Sequence, residues 1–181
     1  AEMGETEFLR FIGTAEKRSE HPLAEAIVAG VQERGIELSE PDAFEAIPGC
    51  GIKAEVNGHV IRVGTRRYME QARIDAAHAY ERMAVLEEAG KTVMLAAVDD
   101  RYAGIIAVAD AVKETSQEAI RRLKAMGIEV IMITGDNERT AKAVAKQVGI
   151  DHVRAEVLPD GKAEEVKKLQ AEGRKVAMVG D

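Results

Sequence analysis

The apolar residues of this chain change their spacing part-way along, near residues 109–114, and that change limits the folds open to it. Before that point, short apolar runs are joined in pairs by turn residues, the mark of antiparallel hairpins. Beyond it, apolar runs alternate with helical stretches, as in βαβ units that build a parallel sheet. The expected fold class is therefore α/β, with an antiparallel sheet and helices over 1–108 and a second, parallel α/β part over 109–181.

Local signals fill in this outline. Phe8, Leu9 and Ile12 begin a helical stripe, and a second helix starts near Pro22, turns Leu23, Ile27 and Val31 inward and stops at Gly35. Asn57-Gly58 between Ile52–Val56 and His59–Val63 is the strongest hairpin signal. A two-residue turn there puts Ile52, Ala54 and Val56 on one face with Val63, Ile61 and His59. A helix over Ala76–Ala89 and a second hairpin at Asp99-Asp100-Arg101 follow. In the second part, Thr115 and Glu118 form a capping-box pattern for a helix ending at Gly127. Strands are expected over 128–134, 153–157 and 176–179, with helices ending at Gly149 and near Gly173.

Two of those strands run into an acid. Val130-Ile131-Met132-Ile133 leads to Thr134-Gly135-Asp136-Asn137, and Val176-Ala177-Met178-Val179 leads to Gly180-Asp181. Ligands of open α/β sheets collect outside the carboxyl ends of parallel strands, so acids there are placed for phosphate and Mg²⁺ chemistry. Thr134 can donate its hydroxyl to a phosphate oxygen, and Lys162 can supply the compensating charge. The plainer reading is that Asp136 and Asp181 cap the helices after their strands.

Charge and composition exclude other classes. The 181 residues are 46% hydrophobic, enough for a sizeable core. With 32 acidic and 25 basic residues the net charge is −7, and no window gathers enough Lys and Arg for a nucleic-acid face. No apolar stretch approaches the roughly 20 residues of a membrane helix. A single cysteine forms no internal disulfide, which suits a reducing, cytoplasmic setting without direct membrane contact.

The first part adds Glu16 and Ser19-Glu20-His21-Pro22 where one helix gives way to the next. The positive end of a helix disfavours an imidazolium, so His21 is expected as a neutral ring able to stack on a base. Gly49-Cys50-Gly51 before a strand lets a ligand lie against bare backbone. Taken singly, these are a capping residue and a turn.

Taken together and in order, the segments resemble heavy-metal-transporting P-type ATPases, most closely the bacterial copper-exporting pumps. The resemblance covers essentially the whole chain. It implies that Glu16, His21, Gly49, Gly51 and the adjoining Ile52 contact ATP in a nucleotide-binding domain, 1–108, within "SEHP" and "GxG" signatures. At a strand end where the family often has Gly-Asn, this chain has Gly64-Thr65, which the resemblance implies as a further nucleotide contact. The second part, 109–181, resembles part of a Rossmann-like phosphorylation domain of haloacid-dehalogenase type. There the resemblance implies a "TGD" motif at Thr134 to Asp136, a phosphate-contacting Lys162, a Mg²⁺-binding Asp181 and a hinge at Asp110 to Lys113.

The family's nucleophile is an aspartate in an Asp-Lys-Thr-Gly-Thr run, and this chain contains no such run. A fragment of a pump is therefore expected, lacking the phosphorylated aspartate and binding ATP and Mg²⁺ but not hydrolysing ATP alone. The remainder of the pump would be its partner, and Cu(I) would be the ion carried elsewhere in the parent. Alternatives are a pump for Zn, Cd or Ag, a stand-alone phosphatase of haloacid-dehalogenase type, and a metal-binding module using Cys50. One soft ligand makes a poor copper site.

Overall fold

The structure is a computed structural model that describes residues 3–109 and 112–180. It divides into two compact units. One takes the chain up to Leu86 and Lys91–Ala109, and the other takes Glu87–Gly90 and the chain beyond Ala109.

The first unit begins with two helices, α1 (Glu5–Glu16) and α2 (Pro22–Glu33). A five-stranded sheet follows in sequential order: β1 (Ala43–Ile47), β2 (Gly51–Val56), β3 (His59–Gly64), β4 (Thr92–Val98) and β5 (Arg101–Val108). Between β3 and β4 lie α3 (Arg66–Gln71), a 3₁₀ turn at Ala77–Ala79 and α4 (Tyr80–Glu88). All four pairings are antiparallel. The hairpin register pairs Ile52 with Val63, Ala54 with Ile61 and Val56 with His59, as the two-residue turn requires. Asn57 and Gly58 both take positive φ, 52° and 79°, which a turn matching the strand twist demands. The second hairpin turns at Asp99-Asp100, φ 50° and 57°, so Arg101 already belongs to β5.

Both faces of this sheet are covered. Ile12 and Ala15 of α1 and Ile27 and Val31 of α2 pack with Ile52, Ala54, Ile61 and Val63 on one side. Tyr68, Met69, Ala79 and Met83 pack with Val93, Leu95 and Ala97 on the other. Successive residues of a strand point to opposite faces, so Ala96 and Val98 join the first cluster while Leu95 and Ala97 join the second. That explains the unbroken apolar run in β4.

The sequence pattern missed β1 and α3. Phe44 and Ile47 are flanked by Glu45 and Ala46, too short an alternation to register, and the strand is held by β2 on one side. Helix α3 spans six residues, less than two turns of periodicity.

The second unit contains α5 (Glu114–Ala125), β6 (Ile131–Ile133), α6 (Glu138–Val148), β7 (His152–Arg154) and α7 (Pro159–Ala171). β6 and β7 pair in parallel, giving one βαβ step. Three expectations need correcting. Thr115 and Glu118 form no capping box: α5 starts two residues earlier, with Lys113 in the N-cap position, and Glu118 is drawn to Arg121 and Arg122 at 2.8 Å each. The strands at 128–134 and 153–157 shrink to three residues apiece, the length over which the two backbones face each other. Residues 176–179 are not a strand, and Val179 is almost fully exposed. A strand is held by a neighbour's backbone, and among the described residues that segment has none. The hinge residue Asp110 and the acid Asp181 lie outside the described residues.

Candidate functional site

The first candidate group is built at the join of α1 and α2. Glu16, the last residue of α1, is only 5% exposed. Burial pushes its carboxyl up to about 7, against a hydrogen bond from the Ser19 hydroxyl that favours the ionised form. Ser19 also donates its backbone N–H to the Glu16 carbonyl at 2.9 Å and accepts the His21 backbone N–H on Oγ at 3.4 Å. Ser19 thus ties the buried acid to the histidine.

His21 is the N-cap of α2, with Pro22 in the first turn. Its Nδ1 accepts the Leu23 backbone N–H at 3.2 Å. With Nδ1 occupied as an acceptor, Nε2 is the ring nitrogen left for a ligand. The ring is exposed.

The second group sits where β2 and β3 meet. Gly51 and Gly64 are register partners, and the Cys50 carbonyl accepts the Thr65 N–H at 2.9 Å. The two backbones leave no room for side chains: a Cβ on Gly64 would lie 2.3 Å from the Cys50 oxygen. Gly49 takes a positive φ of 68° in the turn. Thr65 caps α3, its hydroxyl accepting the Tyr68 N–H at 3.3 Å. Ile52 is buried in the same apolar cluster as Ala15 and Ile27, so only its backbone is available to a ligand. Through that cluster the α1–α2 join and the start of β2 belong to one sheet face. Cys50, half-buried, directs its thiol to Gln71 Oε1 at 3.7 Å, as a packing residue with a weak donor does.

Motif reading placed Ser19 in the SEHP run without a role of its own and did not single out Tyr68 or Arg62. Tyr68 is buried with its ring against Gly64, and its hydroxyl accepts from Arg62 Nη1 at 3.3 Å. Arg62 also donates to Asp100 at 2.8 Å. The signal for α3 was present in Thr65, a good N-cap residue three positions before Tyr68.

In the second unit, Thr134, Gly135 and Asp136 follow β6 directly, at its carboxyl end. The Thr134 hydroxyl donates to Asp136 Oδ2 at 2.9 Å and accepts the Asp136 N–H at 3.1 Å. The loop is pinned to the segment after β7, because Glu156 N–H reaches the Asp136 carbonyl at 2.9 Å and Val157 N–H the Thr134 carbonyl at 3.0 Å. Asp136 does not cap α6. Asn137 does, accepting the Thr140 N–H at 3.1 Å, which leaves the Asp136 carboxylate to Thr134 and the loop. Lys162 stands in the second turn's approach of α7, half-buried, its backbone N–H bonded to the Leu158 carbonyl at 3.2 Å.

Metal and cleft geometry set limits. Among the described residues no three His, Cys, Asp or Glu side chains gather into a possible metal site. A Mg²⁺ site that uses one or two carboxylates plus substrate phosphates needs no such cage, and Asp136 is the carboxylate the described loop offers. Two clefts, of about 520 Å³ beside Glu5, Arg10 and Arg34 and about 310 Å³ beside Lys142, Arg154 and Glu165, lie at neither glycine pair nor Glu16. They are open, charged hollows.

A model of haloacid dehalogenase-like hydrolases matches residues 2–181. The chain belongs to that family. Its relatives in sequence include copper-exporting P-type ATPases of Bacillus subtilis strain 168, 51% identical over 98% of this chain, and of Staphylococcus aureus strain MW2, 51% identical over 98%. This haloacid dehalogenase-like chain spans 22% of the length of each. A zinc-transporting PIB-type ATPase in an E2.Pi state is 32% identical, with TM-score 0.62, over 94% of this chain and 27% of that one. The catalytic domain of a CPx-ATPase shares the fold at TM-score 0.70 and 22% identity, over 99% of this chain and 62% of that one. Resemblance to heavy-metal P-type ATPases, read from the motifs, thus agrees with relatives in sequence and in fold.

Proposed function

We propose that this chain is the ATP-binding part, with a portion of the phosphorylation domain, of a copper-transporting P-type ATPase. In that reading residues 1–108 form the nucleotide-binding domain and 109–181 the partial phosphorylation domain, on the cytoplasmic side of the membrane. The rest of the same pump is the partner, and Cu(I) is carried by segments other than these. The observation that carries the reading is the pairing of an N-capping His21 with a buried acid two hydrogen bonds away, in a unit that also exposes the Gly49 turn at the start of β2. A flat uncharged ring can stack on His21, hydrogen-bond to Glu16 and rest its sugar and phosphates against the exposed backbone of Gly49.

Thr134, Asp136 and Lys162 would support phosphoryl transfer to an aspartate supplied by the parent. Thr134 and Lys162 would hold phosphate oxygens, and Asp136 would be oriented by its bond to Thr134. Mg²⁺, bound with ATP and Asp181, would neutralise phosphate charge. No helix among the described residues is long and apolar enough to cross a membrane.

Titration calorimetry with ATP, with amide chemical-shift mapping, tests the proposal. Micromolar to millimolar binding that perturbs amides of Glu16 to Leu23, Gly49 to Ile52, and Gly64 and Thr65 is expected. Absence of binding, or shifts confined to the second unit, would reject it. A zinc pump is the second reading, favoured by the 32% identity to the zinc-transporting ATPase. Growth of a host lacking its own exporters, complemented by the full-length parent gene, under copper or zinc stress separates the two.

A further inference from the structure

Gly64 is wedged from two sides. Successive side chains of β3 point to opposite sheet faces, so Ile61 and Val63 join the cluster under α1 and α2 while Arg62 and Gly64 look toward α3. Tyr68, 4% exposed, fills the space a side chain at Gly64 would take: a Cβ there would lie 2.9 Å from its ring Cδ1 and 2.3 Å from the Cys50 oxygen. The ring is held at its far end. Its hydroxyl accepts from Arg62 Nη1 at 3.3 Å, and Arg62 Nε donates to Asp100 Oδ1 at 2.8 Å. Asp100 stands in the β4–β5 turn, whose other acid, Asp99, accepts the Val60 N–H at 3.0 Å, so that turn is tied to β3 at two points. At the near end, the Thr65 hydroxyl accepts the Tyr68 N–H at 3.3 Å. Across from Gly64, Cys50 accepts the Thr65 N–H at 2.9 Å and directs its thiol to Gln71, the last residue of α3.

Resting on the nucleotide-binding reading above, we propose that Tyr68 is a positioning residue of the nucleotide site: locked through Arg62 to Asp100, it presses Gly64 against the Cys50–Gly51 backbone and so fixes the exposed Gly49 turn. Gly64 is buried and offers a ligand no surface of its own. What it sets is the place where the chain leaves that turn and enters β2, because Gly51 is its register partner. A turn that receives sugar and phosphates binds them better when it is already held, since freedom left to it must be lost on binding. Burial alone explains an aromatic ring at position 68. It does not explain a phenol whose hydroxyl is met by a guanidinium only 18% exposed, itself fixed by a carboxylate from another turn. Tyr68 touches no ligand itself; it acts through Gly64 and Cys50.

ATP is titrated calorimetrically into the full chain and into Tyr68→Phe, Asp100→Gly and the double variant, with urea unfolding alongside. Tyr68→Phe keeps the buried ring and removes only the hydroxyl. Asp100→Gly removes the carboxylate that fixes Arg62, at a φ of 57° that glycine accepts readily. Each should weaken ATP binding about three- to fivefold, within the net worth of one hydrogen bond. The double variant should bind no worse than the weaker of the two, because both changes cut the same line of contacts. In ligand-free Tyr68→Phe the amides of Gly49, Cys50, Gly51 and Thr65 should shift while those of Glu16 to Leu23 stay in place, a signature that a general loss of packing does not give. A lowered urea midpoint with ATP affinity unchanged in both single variants, or fully additive losses in the double one, would overturn the inference while leaving the nucleotide site intact. No ATP binding by wild type would overturn that site and the inference together.

Discussion

Gly51 and Gly64 face each other across the β2–β3 ladder so closely that a Cβ on Gly51 would fall 2.1 Å from the Val63 oxygen and 2.6 Å from the Gly64 Cα. The obstacles are backbone atoms, which cannot rotate away. Gly51 also holds φ at 152°, a region that side chains rarely adopt. Gly51→Ala and Gly64→Ala should each destabilise the first unit by about 2 to 4 kcal/mol, through overpacking at both positions and, at Gly51, backbone strain as well. Gly58→Ala, with a positive φ but open space around it, should cost only about 1 kcal/mol. Urea unfolding of the three variants checks the order. A Gly64→Ala chain as stable as wild type would mean that the strands part easily here.

Glu16 should make stability depend on pH. Its folded-state pKa, about 7, lies above the ordinary 4.5, so the folded chain holds the proton longer than the unfolded one. The stability linked to it is complete below pH 4.5 and is lost as pH rises from 4.5 through 7. Glu16→Gln removes that loss and should stabilise the protein by about 1 to 3 kcal/mol at pH 8, with little effect at pH 5. Denaturation midpoints at the two pH values test it. Equal gains at both would show that the carboxyl is not destabilised by burial.

His21 carries two functions that substitution can separate. His21→Ala loses the N-cap, costing about 0.5 to 2 kcal/mol of stability, and loses the ring proposed to stack on adenine. His21→Asn restores the cap through its side-chain oxygen but not the ring. Stability should therefore recover in the Asn variant while ATP affinity stays about 1 to 3 kcal/mol below wild type. Recovery of ATP affinity along with stability would reduce His21 to a helix cap.

Much of this arrangement was legible in the chain because it is local. Asn57-Gly58 dictated a hairpin register, and Pro22 after His21 dictated where α2 starts and what the imidazole would bond. The segments that misled depend on distant partners. Val176–Val179 has an ideal strand composition, yet composition cannot supply the neighbouring backbone that makes a strand. Thr115 and Glu118 matched a capping pattern, but Arg121 and Arg122 compete for the same carboxylate one turn on. The burial of Glu16 was equally hidden, since it follows from α1 packing on α2 and the sheet and not from residues beside it.

Chemistry at Asp136 should be absent in this chain. Transfer of a phosphoryl group to an aspartate needs that carboxylate in line with the leaving oxygen and free to attack. Asp136 Oδ2 instead accepts a hydrogen bond from Thr134 at 2.9 Å, and the loop around it is fixed to Glu156 and Val157 by two backbone bonds. It follows Thr-Gly, where the family nucleophile leads an Asp-Lys-Thr-Gly-Thr run that this sequence does not contain. Incubation with γ-³²P-ATP and Mg²⁺ should leave no acid-stable label on the chain, and phosphate release should not exceed background. Thr134→Val should free the Asp136 carboxylate from its hydroxyl partner without creating that activity, because the geometry of the loop is held by the backbone. Label on the wild-type chain that vanishes in Asp136→Asn would identify Asp136 as a nucleophile and make this chain a phosphotransfer enzyme in its own right.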